Sequence, residues 1–147
     1  MKIYLILLML LIGTVLTVHL SMNAQVGLII KNQKLANAAF WGIGAITAIL
    51  IALTSFEAEA FVRFKNVPIW LLSAGVMGAI LVFGIAWVIP RIGSGSAFVL
   101  MITAQIITGL VLAHYGLLGS PVEHISTPKV LGALLVIGGA AIVTFTK

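Results

Sequence analysis

Five long apolar runs, separated by short polar stretches, organise this chain. The first runs from about Ile3 to Ile30 and stops at KNQK. The second, about Leu35 to Phe56, ends in EAEAFVRFKNVP. The third, about Ile69 to Ile89, is closed by Pro90, Arg91 and Gly93. The fourth covers about Ser96 to Tyr115 and gives way to YGLLGSPVEHISTP, and the fifth runs about Lys129 to Thr146. Runs of roughly 18 or more apolar residues are long enough to cross the hydrocarbon core as helices. A helix also satisfies its own backbone there, where water cannot. The pattern therefore predicts an all-α membrane protein with five transmembrane helices in a single domain over residues 1–147.

Composition agrees with the pattern. Charged residues make up 7% of the chain and hydrophobic ones 62%, whereas a soluble domain carries about a quarter charged residues. The first run is the odd one. Its 28 residues would form a helix of about 42 Å, against a core of about 30 Å, so it must tilt, protrude or bend. Lys2 followed by IYLILLMLLIGTVLTV also has the look of a secretory leader. Cleavage after Ala24 would need a small residue where Met22 stands, so the run is expected to remain as a helix.

Charge changes the picture further. The net charge of +5 comes from eight Lys and Arg spread thinly over the loops, with no basic stripe of the kind that binds nucleic acid. The chain has no cysteine, and His19, His114 and His124 lack metal-ligand spacing. No catalytic triad or phosphate-cradling glycine loop stands out. Neither an enzyme, a metal site nor a cofactor is expected. Five spans put the termini on opposite sides of the membrane. Lys2, Arg63, Lys65 and Lys129 then face one side, and Lys31, Lys34, Arg91 and Lys147 face the other. Lys and Arg ordinarily concentrate in cytoplasmic loops and set orientation. A four-to-four tie leaves no preference, so copies are expected to insert both ways and pair antiparallel. Small residues suit close packing of the spans: Gly44, Ala48 and Ala52, Ala74 with Gly78, Gly75 with Ala79, and Gly132, Gly138 and Gly139.

Several pieces in order resemble one family. They are His19 and Asn23 in the first run, Trp41 and Gly44 in the second, SAGVMGAI (73–80), IPRIGSG (89–95), Gln105, AHYGLLGSP (113–121) and KVLGALLVIGGAAIV (129–143). Together they resemble the YdcZ-like small bacterial inner-membrane proteins of the drug/metabolite transporter superfamily. The family pattern has glutamine where this chain has His19. The resemblance implies a multi-pass protein of the bacterial inner membrane, a five-helix unit similar to half of a ten-helix transporter. Its second half would be a copy, or a paralogue, in opposite orientation.

The candidate chemistry lies in VHLSMNAQVG (18–27). At 100° per residue His19 and Asn23 share one helix face, while Thr14, Thr17, Ser21 and Gln25 cluster roughly opposite. The hydroxyls can bond back to the carbonyl one turn earlier. An imidazole and a carboxamide deep in a span are harder to explain by packing alone. The expected solute site is therefore His19 and Asn23, walled by Trp41 and Gln105, with His19 as the proton-sensitive group. His114, Trp70 and Trp87 are expected at the interface, and Glu57 and Glu59 in a solvated loop. All three carboxylates, Glu57, Glu59 and Glu123, lie in or beside loops. No span carries the counter-charge for an organic cation, so a small polar or neutral solute is expected. These readings converge on an exporter-type secondary transporter working by alternating access as an antiparallel homodimer. The rival is a non-transporting scaffold or assembly protein whose polar residues only join helices.

Overall fold

The computed structural model describes residues 2–54 and 56–146, and among them all regular structure is helical. Five helices are long and apolar enough to cross a membrane: α1 (Ile3–Ile29), α2 (Gln33–Leu53), α4 (Ile69–Ile92), α5 (Ser94–Tyr115) and α6 (Thr127–Phe145). Most of their large side chains, such as Leu135, Phe145 and Ile69, are exposed. An apolar surface this extensive fits lipid, not water.

The helix ends depart from the apolar runs wherever a local residue decides them. α2 starts at Gln33, two residues before its run, because the Asn32 side chain accepts the Leu35 N–H at 3.1 Å and caps the helix. α4 continues through Pro90 to Ile92. Proline removes one backbone donor, which the helix tolerates in its last turn. There Arg91 lies over the Trp87 ring at 3.6 Å and its Nη1 donates to the Trp87 carbonyl. Gly93, at φ 83, then turns the chain into α5. The stretch after α2 is not the plain loop expected of it. It holds a short helix, α3 (Ala58–Arg63), and a 3₁₀ turn over Phe64–Asn66. Arg63 pairs with Glu59 at 3.3 Å and Glu57 at 3.7 Å, both exposed, so these pairs add little stability.

The chain divides into two compact units, Met1–Arg91 and Ile92–Lys147. In the first, α1 packs against α2, and three residues make the hairpin turn. Lys31 takes the left-handed conformation at φ 54. Its N–H donates to Leu28 O at 3.3 Å, and the Asn32 N–H donates to Gly27 O at 3.1 Å. These two bonds form a Schellman motif, after which Asn32 begins the next helix. Lysine stands where glycine is the usual choice, and a side chain there costs about 1–2 kcal/mol. Lys31→Gly is therefore expected to stabilise the hairpin by about 1 kcal/mol, and Asn32→Ala to cost about 1 kcal/mol. Unfolding titrations in mixed micelles should give the two variants opposite signs.

α2 also meets α4. Asn37 Nδ2 donates to the Ala79 carbonyl at 3.2 Å. One turn on, the Trp41 ring lies over Gly78, where a Cβ would sit 3.3 Å from Trp41 Cη2. In the second unit α5 packs against α6. Gly116, at φ 62, ends α5, and a Cβ there would collide with Val122. The loop beyond is tied back to α5 by the Glu123 N–H to Ala113 O at 2.9 Å and the Ile125 N–H to His114 Nδ1 at 3.1 Å. Lys129 on α6 donates to Glu123 at 3.0 Å and to the His124 carbonyl at 3.3 Å.

Candidate functional site

The buried residues of α1 are Leu20, Asn23, Ala24 and Gly27. Their i, i+3, i+4, i+7 spacing is the seam of a packed helix. A carboxamide is an unusual member of such a seam. Asn23 is only 4% exposed, and its Nδ2 finds no hydrogen-bond partner among the described residues. Its backbone carbonyl accepts from Gln33 Nε2 at 3.4 Å. The Gln33 side chain reaches that far because Gly27 leaves room, since a Cβ on Gly27 would collide with the Gln33 carboxamide. Glycine here admits a side chain from α2 to the spine of α1.

His19 sits one turn before Asn23, half-buried at the edge of the seam. Its Nδ1 lies 3.1 Å from the Val15 carbonyl. Its ring stacks on Phe40 of α2, with centroids 5.3 Å apart and planes 20° apart. Between the helices is a cleft of about 290 Å³ lined by His19, Asn23, Ala36, Phe40 and Ile43, among others. Two further grooves share His19. One of about 270 Å³ runs up α1 past Leu11 and Val15. The other, of about 440 Å³, follows α2 past Gly44, Thr47 and Ala48. His19 is thus where three grooves meet, and Asn23 forms part of the wall of the first.

The other expected site residues are placed differently. The aromatic wall of this cleft is Phe40, while Trp41, next in sequence and 100° round the helix, lies over Gly78. Gln105 belongs to the second unit, where it is exposed on α5. The hydroxyls of Thr14, Thr17 and Ser21 donate to Leu10, Gly13 and Thr17 carbonyls at 3.0, 3.1 and 2.9 Å, so their hydrogen bonds stay within α1. His114 anchors the loop after α5 and lies 5.5 Å from the His124 ring. A second cleft, of about 260 Å³, is lined by Lys34, Asn37, Ala79, Ile80 and Phe83. Asn37 Oδ1 is buried beside it without a partner among the described residues. Phe40, Gln33 and Asn37 were not anticipated. Their signal was nonetheless periodic: Ala36, Ala39, Phe40 and Ile43 recur at one helix face, and Gln33, Asn37 and Trp41 at every fourth residue.

Comparison with known families bears on the chain as a whole. A family model, DMT_YdcZ, described as "Putative inner membrane exporter, YdcZ", matches residues 4–142. The chain belongs to the DMT_YdcZ family. That match covers nearly all of the 147 residues, so it takes in α2, α4 and α5 whole, most of α1 and α6, and the residues of the His19–Asn23 cleft. Membership and the five spans together make this a multi-pass protein of the inner membrane. The activity that this description names is export across a membrane. No curated protein and no solved structure matches the chain.

Proposed function

We propose that the chain is one half of an exporter-type secondary transporter that moves a small polar or neutral solute by alternating access. A second copy in inverted orientation, or an oppositely oriented paralogue, supplies the other half. The observation that carries this reading is the cleft itself. His19 and Asn23 line it in the C-terminal half of α1, and Asn23 Nδ2 has no partner among the described residues. A polar group held in hydrocarbon at such a cost is a functional group by default. Inverted repeats set a solute site near the midplane where two halves meet, and rocking of the halves alternates its exposure. The even split of Lys and Arg supports insertion both ways. Gly44, Gly132, Gly138 and Gly139 have open space where a Cβ would stand, which leaves small-residue faces for a partner helix.

The scaffold reading draws support from the Asn37–Ala79 and Gln33–Asn23 bonds, which do join helices. Neither uses the His19 ring or the Asn23 side chain. Two C-terminal reporters, one active in the cytoplasm and one active outside it, test the dual-topology part. Both are expected to be active in comparable amounts. Activity from one side alone would remove the homodimer and make the paralogue the partner.

A further inference from the structure

We infer that the α1–α2 cleft selects an uncharged, flat solute that donates a hydrogen bond to Nε2 of His19, and that a proton competes with the solute for that same lone pair. The inference deepens the transporter reading and rests on it.

The argument starts from one contact. The Val15 carbonyl can only accept a hydrogen bond, so the 3.1 Å contact requires Nδ1 of His19 to carry the hydrogen. In the neutral ring the other nitrogen is then a bare acceptor. What His19 offers a ligand is therefore a lone pair at Nε2. A solute must bring an N–H or O–H to meet it.

The surroundings narrow the class. Phe40 stacks on the imidazole and lines the same cleft, so the aromatic surface favours a flat ligand. Asn23 one turn away adds a carboxamide to the same wall, its Nδ2 buried and unpartnered among the described residues. None of the described residues lining the cleft on α1 or α2 is charged. The two other grooves that share His19 are likewise free of charged lining residues among those described. Lys34, the nearest basic residue of α2 in sequence to this wall, lines the separate cleft with Asn37. A charged solute would lose its hydration without gaining a counter-charge, and such burial is costly. An uncharged donor loses far less.

Competition with a proton then follows from the single lone pair. When Nε2 is protonated it becomes a donor, and the solute's N–H faces another N–H. Solute and proton exclude each other at one atom, which is the elementary requirement for exchanging them.

Two measurements on the full chain in lipid nanodiscs test this. The first uses no ligand. ¹⁵N NMR of labelled histidines, assigned with His114→Gln and His124→Gln variants, should show His19 protonated at Nδ1 in its neutral form. His114 supplies an internal contrast, because its Nδ1 accepts from the Ile125 N–H and its hydrogen must sit on Nε2. A neutral His19 protonated at Nε2 overturns the inference. The second is a thermal-shift comparison of uracil, 1,3-dimethyluracil and tetraethylammonium. Uracil, which has N–H donors, should stabilise the protein at alkaline pH and lose that effect in acid. The dimethyl compound and the cation should do neither. His19→Gln should keep uracil binding, since the glutamine oxygen accepts without titrating, and should flatten its pH dependence. Equal stabilisation by the dimethyl compound, stabilisation by the cation alone, or none from any probe overturns the proposed solute class. Failure of the transporter reading looks different: the tautomer and uracil binding hold, while proteoliposomes move no uracil.

Discussion

The double variant His19→Ala, Asn23→Ala is expected to lose about 100-fold in solute flux while its dimer yield stays unchanged and its melting temperature falls only slightly. The asymmetry comes from what each side chain contacts. His19 spends its Nδ1 on a carbonyl of its own helix, which the helix can do without. Asn23 makes no bond through Nδ2, and the bond that does reach α2 uses its backbone carbonyl, which alanine retains. Truncation therefore removes little that holds the protein together beyond the stack on Phe40 and some buried volume. A solute in the cleft loses two polar contacts at once. Leaving a buried donor or acceptor unmet costs about 1–3 kcal/mol each, so a loss of roughly 3 kcal/mol, or about 100-fold, is a conservative sum. Efflux from proteoliposomes and dimer content by size-exclusion chromatography check both halves. A dimer that falls apart with the flux would favour the scaffold reading.

The same logic explains what could be read without coordinates. The five spans were legible to within a few residues because apolar length alone governs whether a helix can cross hydrocarbon. Their ends were not, because single residues set them: Asn32 starts α2 early by capping, and Arg91 on Trp87 lets α4 run past Pro90. α3 was missed because six residues carry too little pattern, and an i,i+4 Glu59–Arg63 pair is a weak signal in a polar stretch. The site was half legible. That His19 and Asn23 share a face follows from helix geometry, and that Thr14, Thr17 and Ser21 turn inward on their own carbonyls follows from hydroxyl chemistry. Which residues of α2 oppose them does not follow from α1 at all. Phe40 and Trp41 are neighbours in sequence, and the choice between them depends on which face of α2 meets α1. Buried Ala36, one turn before Phe40, marks that face. Trp41 instead shares its face with Asn37, and both are used on α4.

Asn23→Asp should produce the other large effect, because it changes charge and almost nothing else. The carboxylate and the carboxamide have nearly the same shape, so packing in the seam with Leu20 and Ala24 is preserved. Asn23 is 4% exposed but lies towards the C-terminal end of α1, so a carboxylate there costs less than the roughly 2.5–3.5 kcal/mol of a span's centre on insertion scales. The variant is therefore expected to be destabilised by about 2 kcal/mol at pH 8. Acid reverses the effect, since protonation restores an uncharged group of the same outline. Stability of the variant relative to the parent should thus rise as pH falls, opposite in direction to the loss of solute binding expected of the parent in acid. Melting curves in nanodiscs between pH 5 and pH 8 separate the two trends. The substitution also supplies the counter-charge that the cleft lacks, one turn from His19. Tetraethylammonium, which the parent should reject, is then expected to stabilise the variant at pH 8, and uracil to lose its advantage. A variant as stable as the parent at every pH would mean that residue 23 meets water in the membrane-bound protein, and the cleft could not then select solutes by excluding charge.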